Sequence, residues 1–256
     1  MILAAVSQRA RPEPHASVLH FALLNVSRPP APSTRRARAY MNPTLAFLLS
    51  PVYGNALAPE HLRDLQNSGL SDETIAQQSL RSVPPSLIQP LLGFDVLRVR
   101  SALLLPFPDP CGGFMNHVRL KVFPTLTDQQ GHTVKYLQPR RSGVRLFFPL
   151  ATLPMALRGS APLWLVEGEK KALAVAQLGL PAVGFCGIEG WHIAHSNTLI
   201  PDFHHFPLRG RTVELVPDGD WQTNGHVRRA AIRLGECLET HGARARLVVL
   251  PAEATR

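Results

Sequence analysis

The hydrophobic residues of the C-terminal part occur in short continuous runs separated by amphipathic stretches. The runs cover residues 163–166, 181–186, 212–216 and 246–250. A short apolar run bounded by turn residues is typical of a strand that is buried on both faces. Between the runs, the pattern predicts one helix over Lys170–Leu178, stopped by Gly179, and a second from Asn224 as N-cap to His241. Strands that alternate with helices predict an α/β fold, with a parallel sheet flanked by helices.

The preceding part of the chain has a different periodicity. From residue 118 to 122, apolar residues alternate with Arg119 and Lys121. This period of two predicts a half-buried strand whose outer face is basic. Residues 134–137 and 145–148 are predicted as further strands. The segment therefore reads as a small, basic, β-rich (α+β) subdomain.

The first hundred residues contain a helical segment and a basic arm. Helices are predicted from Pro59, which suits the first helical position, and from Ser71, which suits an N-cap. The N-terminal stretch is rich in Pro and Arg and lacks periodicity, so it is predicted to be disordered. Either Met1 or Met41 could be the residue at which translation starts. The predicted organisation is an arm over 1–44, a helical segment over 45–100, a β-rich subdomain over 101–160 and an α/β domain over 161–256.

Charge and composition narrow the range of functional classes further. The 256 residues carry a formal net charge of +9. The positive charge is concentrated in residues 1–44 and 101–160, whereas basic and acidic residues balance over 161–256. A basic middle beside a carboxylate-containing domain predicts that one part binds phosphate and the other binds a cation. The hydrophobic content of 45% excludes disorder of the whole chain. The three cysteines form no C-x-x-C pair, and no apolar run is long enough to span a membrane, so we expect a soluble cytoplasmic protein.

Three carboxylates follow two of the predicted parallel strands. Glu167 ends the first strand, and Asp218 and Asp220 follow the third. Because ligands bind at the carboxyl ends of such strands, we expect these three groups to converge. Converging anions repel each other, and hard oxygen donors without cysteine favour Mg²⁺ or Mn²⁺ as the cation that relieves the repulsion. A metal held in this way suits phosphoryl transfer, so Glu167, Asp218 and Asp220 are the candidate catalytic and metal-binding residues.

The two acidic motifs resemble a known family. The runs LVEGEKKAL, from Leu165 to Leu173, and VPDGD, from Val216 to Asp220, resemble the Toprim domain of DnaG-type primases, topoisomerases and related nucleases. The resemblance is strongest to the primase-like proteins of phages, plasmids and integrative elements. It implies that Glu167 is a metal ligand or acid–base group and that Asp218 and Asp220 hold Mg²⁺.

The resemblance extends upstream to the basic subdomain of these primases, over runs such as HVR at 117–119 and KYLQP at 135–139. An Arg and a Lys face nucleotide and template there, which implies this role for Arg119 and Lys135. The neighbouring Arg140 and Arg141 are expected to guide phosphates. Further candidates are Tyr136, which could stack on a base, and Lys170 and Lys171, which could reach a phosphate or simply be solvated.

Together with the acidic site and the basic subdomain, the resemblance implies a DNA primase-like nucleotidyltransferase that makes short RNA primers on single-stranded DNA from nucleoside triphosphates with Mg²⁺, in mobile-element replication. No G-x-x-x-x-G-K-[ST] motif and no zinc-binding cysteine pair occur, so a separate helicase is an expected partner. Two alternatives remain open, a Toprim nuclease and a non-catalytic accessory protein that binds single-stranded DNA.

Overall fold

The computed structural model of the protein describes residues 43–249, apart from the side chains of Pro43, Thr44, Ala46 and Asp220. The predicted arm, up to its residue 42, and both candidate start residues lie outside this part. The described residues form two four-stranded sheets, one antiparallel and one parallel. No helix within residues 43–249 combines the length and the apolar character that crossing a bilayer requires.

The first sheet is antiparallel, in the order β1-β2-β3-β4. Its strands are β1 (Arg81–Val83), β2 (Ser101–Pro108), β3 (Phe114–Thr127) and β4 (Thr133–Leu137). The helices before and between them are α1 (Pro43–Tyr53), α2 (Pro59–Gln66), α3 (Asp72–Gln77) and α4 (Pro85–Leu92). Ser71 is the N-cap of α3, as predicted, and its hydroxyl accepts from the N–H of Thr74. One face of the sheet buries Leu104 and Leu120 against α1 and α4, and the other faces the parallel sheet.

The second sheet is parallel, in the order β6-β5-β7-β8. Its strands are β5 (Leu163–Glu167), β6 (Ala182–Phe185), β7 (Thr212–Val216) and β8 (Arg244–Leu247), and its helices are α5 (Leu153–Arg158), α6 (Glu169–Ala176) and α7 (Gly225–Thr240). The predicted α/β fold is therefore confirmed. The chain leaves β5 towards β6 and leaves β7 towards β8, so β5 and β7 flank the point at which the strand order reverses. At such a point the connections diverge and leave a crevice at the carboxyl ends of the strands.

Two predicted strands differ in the structure. Residues 145–148 are buried in part but form no strand; Phe147 alone makes an antiparallel bridge to Gly184, at the outer edge of β6. The fourth strand was predicted over 246–250 but begins two residues earlier, since β8 starts at Arg244. Its residues alternate between exposed and half-buried. An edge strand is covered less completely than a central one, so a search for a continuous apolar run misplaced its start.

Candidate functional site

Two of the three residues predicted to carry the site, Glu167 and Asp218, are in contact at the switch point of the parallel sheet. Glu167 is the last residue of β5, and Asp218 follows β7 by two residues. The backbone N–H of Asp218 donates to Oε2 of Glu167 at 2.9 Å. This bond fixes the loop after β7 against the end of β5, and it holds the buried Glu167 side chain beside the more exposed Asp218.

A lysine from the helix after β5 reaches the same site. Lys171, in α6, forms an ion pair with Oδ1 of Asp218, and both side chains remain partly exposed. The structure therefore brings Lys171 to Asp218, where its ammonium compensates the charge of that carboxylate. The backbone of Asp220 lies in a short 3₁₀ helix, Gly219–Gln222, directly after Asp218. Its carboxylate lies outside the described part of the chain.

The donor set is suited to a hard divalent cation. Glu167 and Asp218 present carboxylate oxygens, the ligands that Mg²⁺ and Mn²⁺ prefer, and the ammonium of Lys171 marks a place where positive charge is stabilised. Among the side chains that the structure describes, no group of three His, Cys, Asp or Glu residues forms a metal site. A third ligand would therefore have to come from Asp220 or from bound water or substrate.

Arg119 connects the antiparallel sheet to this site. Its guanidinium, on β3, forms an ion pair with Glu169 at the start of α6, and it lies 4.8 Å from the centre of the Tyr136 ring. Burial alone would lower the pKa of Arg119, but the adjacent Glu169 carboxylate outweighs it and raises the pKa. The structure thus brings Arg119 and Tyr136 to α6, the helix that follows Glu167. The guanidinium of Arg119 is already paired there with Glu169.

Lys170 lies beside this pair and points to a different element. Its ammonium contacts Oδ2 of Asp64 at 3.1 Å and the hydroxyl of Ser68 at 2.7 Å. Asp64 also forms an ion pair with Lys121 of β3. Asp64, Ser68 and Lys121 were not predicted as site residues, because nothing in their local pattern indicates a contact more than fifty residues away.

The remaining predicted cations lie elsewhere. Tyr136 pairs with Lys121 across β3 and β4, and successive residues of a strand point to opposite faces, so the exposed Lys135 projects away from Arg119. Arg140 lies over the ring of Phe94 at 5.6 Å, against the segment after α4, and Arg141 is exposed in the same loop. The structure does not bring Lys135, Arg140 or Arg141 to the carboxylates.

A buried histidine lies next to the site and was not predicted. His117, two residues before Arg119 on β3, packs edge-on against Phe107, and its Nδ1 atom has no hydrogen-bond partner among the described residues. Burial, with the nearby Arg145 and Arg119 cations, lowers the pKa of His117 to about 4. The ring is therefore neutral at pH 7.

This histidine makes stability depend on pH. Its pKa is lower in the folded protein than in the unfolded chain, so the unfolded state binds more protons between pH 6.5 and 4. We therefore expect the free energy of unfolding to fall by about 3 kcal/mol as the pH is lowered from 6.5 to 4. Urea denaturation of the wild type and of His117→Leu at a series of pH values measures the difference. Equal pH dependence in the two proteins would contradict the prediction.

Comparison with known proteins finds one family model that matches part of the chain and several solved structures of similar fold. Residues 155–256 match a family model described as a domain of unknown function (DUF3854). No curated protein sequence matches the chain. A structure of the DnaG catalytic core is 22% identical with a TM-score of 0.53, over 82% of this chain and 71% of that one. The DnaG primase catalytic domain bound to ssDNA is 22% identical with a TM-score of 0.52, over 81% and 72% of the two chains.

A third similar structure contains the zinc-binding and RNA polymerase domains of the Aquifex aeolicus primase. It is 14% identical with a TM-score of 0.55, and the match covers 81% of this chain and 54% of that one. Sequence identity this low speaks for the architecture alone. In its fold, the chain is similar to the catalytic cores of DnaG-type primases.

Proposed function

We propose that this protein is a DNA primase-like nucleotidyltransferase that joins ribonucleotides into short RNA primers on single-stranded DNA. One observation carries the proposal: the backbone N–H of Asp218 donates to Glu167 Oε2, which holds two carboxylate-bearing residues together at the switch point of a primase-like fold. A site of this kind suits metal-assisted phosphoryl transfer. We assign residues 161–256 to a Toprim domain, preceded by a β-rich subdomain over 101–160, a helical segment over 45–100 and a basic arm over 1–44.

In this proposal, the residues of the chain would have the following roles. Glu167, Asp218 and Asp220 would hold Mg²⁺ or Mn²⁺, which supplies electrostatic stabilisation of the transferring phosphoryl group when bound. Lys171, already at Asp218, is close enough to that site to balance charge as phosphates enter. Arg119 and Tyr136 place a cation and an aromatic ring beside the helix that follows Glu167, and in this proposal they would contact a base or a phosphate.

A second group of predicted residues would serve a separate step, the binding of the template. Lys135, Arg140 and Arg141 are exposed cations away from the carboxylates, which favours a role in holding the template strand over a role at the reacting atoms. A solved structure of similar fold is described as bound to ssDNA. We further propose that the protein acts in mobile-element replication in the cytoplasm and that a separate helicase supplies unwound template.

One set of reactions distinguishes the proposed activity from both alternatives. Purified protein is incubated in Mg²⁺ or in EDTA with end-labelled single-stranded DNA, with or without labelled ribonucleoside triphosphates, and a mobility shift of the same DNA measures binding. We expect labelled products of two or more nucleotides only with Mg²⁺ and DNA. Loss of labelled DNA without added nucleotides would indicate a nuclease. DNA binding that persists in EDTA, with neither synthesis nor cleavage under any condition, would indicate an accessory protein.

A further inference from the structure

Three elements converge on one carboxylate beside the proposed site. Asp64 of α2 accepts from Lys121 of β3 through Oδ1 and from Lys170 of α6 through Oδ2, the latter at 3.1 Å. Ser68, just beyond α2, accepts from the same Lys170 ammonium at 2.7 Å. The Lys121–Lys170 cluster, defined as these four residues, thus joins the helical segment, the antiparallel sheet and the parallel domain.

The Lys121–Lys170 cluster carries more positive than negative charge. Two ammonium groups share one carboxylate, and the side chains of Lys121, Lys170 and Asp64 are only 11%, 16% and 22% exposed. Withdrawing an uncompensated charge from water is unfavourable. In agreement with this, burial and the neighbouring Lys121 lower the pKa of Lys170 to about 8, although Asp64 opposes the shift.

Among the residues that the structure describes, Asp64 is the one acid that forms an ion pair with Lys121 or Lys170. The nearest acid on α6, Glu169, is already paired with Arg119. The ring nitrogens of His61, on the same helix as Asp64, contact the hydroxyls of Ser82 and Ser101, and burial lowers the pKa of His61. Tyr136, on β4, has its pKa raised by burial, so its hydroxyl is neutral. The cluster therefore retains a net positive charge at neutral pH.

We propose that Lys121, Lys170 and Ser68 form a phosphate-binding subsite in which Asp64 is the resident counter-ion. An incoming phosphate would take over the two ammonium groups and release the Asp64 carboxylate towards solvent. Lys170 lies on the helix that begins two residues after Glu167, so a phosphate here would be near the carboxylate pair. Only the source of that phosphate, a nucleoside triphosphate or a nucleic-acid backbone, rests on the proposed function.

The test measures binding without catalysis. Isothermal titration of the full chain with inorganic pyrophosphate, in EDTA at pH 7, gives the affinity of the wild type and three variants. Lys170→Met should weaken binding about tenfold or more, because it removes a charge-assisted hydrogen bond. Asp64→Asn should strengthen binding several-fold, because it removes the competing anion. The control Arg63→Met, an exposed cation on the same helix, should leave the affinity unchanged.

The sign of the Asp64→Asn effect separates a binding subsite from a purely structural joint. A joint predicts lower thermal stability with unchanged or weaker pyrophosphate binding, and that result overturns the proposal. Lys170→Met removes surplus charge and is expected to stay folded, so unaltered affinity in this variant overturns it as well, even if Asp64→Asn does not fold. Wild-type affinity should fall as the pH rises from 7 to 9, and this dependence should be lost in Lys170→Met.

Competition then identifies the source of the phosphate. Displacement of pyrophosphate by ATP assigns the subsite to the nucleotide, and displacement by a single-stranded oligonucleotide assigns it to the strand. Failure of both to compete overturns the link between the cluster and the proposed reaction. Because no metal and no synthesis are needed, a protein that binds pyrophosphate but makes no primer would contradict the proposed function alone.

Discussion

Replacing Asp218 by Asn should reduce primer synthesis at least about a hundredfold while the protein stays folded. A metal ligand contributes several kcal/mol to the stabilisation of transition-state charge, and each 1.4 kcal/mol is a factor of ten in rate. The substitution preserves the backbone N–H that bonds to Glu167. The Asp218 side chain is 46% exposed, so the loss of its ion pair with Lys171 should cost little stability. The measurement is the initial rate of dinucleotide formation on a single-stranded template with Mg²⁺.

The matched control is Asp95→Asn, which removes an exposed carboxylate in the loop before β2. This variant should synthesise primers at the wild-type rate. DNA binding, followed by fluorescence anisotropy in EDTA, should be the same in all three proteins, because the exposed cations are unchanged. A fully active Asp218→Asn protein would refute the catalytic assignment, and undetectable synthesis in the wild type with intact DNA binding would favour the accessory alternative.

The second large effect concerns stability. Glu169→Gln should destabilise the protein by about 3 kcal/mol, because it leaves the Arg119 guanidinium charged, buried and without its ionic partner. The two side chains are 3% and 13% exposed, so water cannot take over the role of the carboxylate. The buried Nε of Arg119 has no hydrogen-bond partner within the described residues, which leaves this cation especially dependent on Glu169. Urea denaturation at pH 7 measures the change in the free energy of unfolding.

Two further variants make this result specific. Glu236→Gln removes an exposed carboxylate of α7 and should change stability by less than about 0.5 kcal/mol. The double variant Arg119→Met/Glu169→Met removes both charges and should recover much of the lost stability, since apolar replacements of buried ion pairs are often tolerated. A Glu169→Gln protein as stable as the control would mean that the ion pair contributes nothing.

The sequence was most informative where chemistry coincides with a strand end. Glu167 and Asp218 could be predicted to meet because parallel strands end at one edge of a sheet, and the structure has them joined by a hydrogen bond. Asn224 could be predicted as the N-cap of α7 because its polar side chain precedes an amphipathic run, and it accepts from two backbone N–H groups. These are local patterns.

Pairing between distant segments could not be predicted in the same way. Arg119 and Lys135 were expected to face nucleotide and template, and which way each points depends on strand register. The register of β3 against β4 aligns Lys121 with Tyr136, and an irregularity follows it. A shift of one residue exchanges the two faces of a strand, so the face of Lys135 depends on a register that its own sequence does not specify. Asp64 was missed for a similar reason, since its partners lie on β3 and α6.

The bridge between Phe147 and Gly184 has a consequence for association between molecules. It occupies the outer edge of β6 at Gly184, whose backbone N–H and C=O both pair with Phe147, so these two groups cannot pair with an added strand. Within residues 43–249, the opposite border of the parallel sheet is β8, which hydrogen-bonds to β7 on one side only. Lengthening of this sheet by a neighbouring polypeptide would therefore begin at β8, and the exposed Arg244 and Arg246 of that strand are charged residues of the kind that protect an open sheet edge.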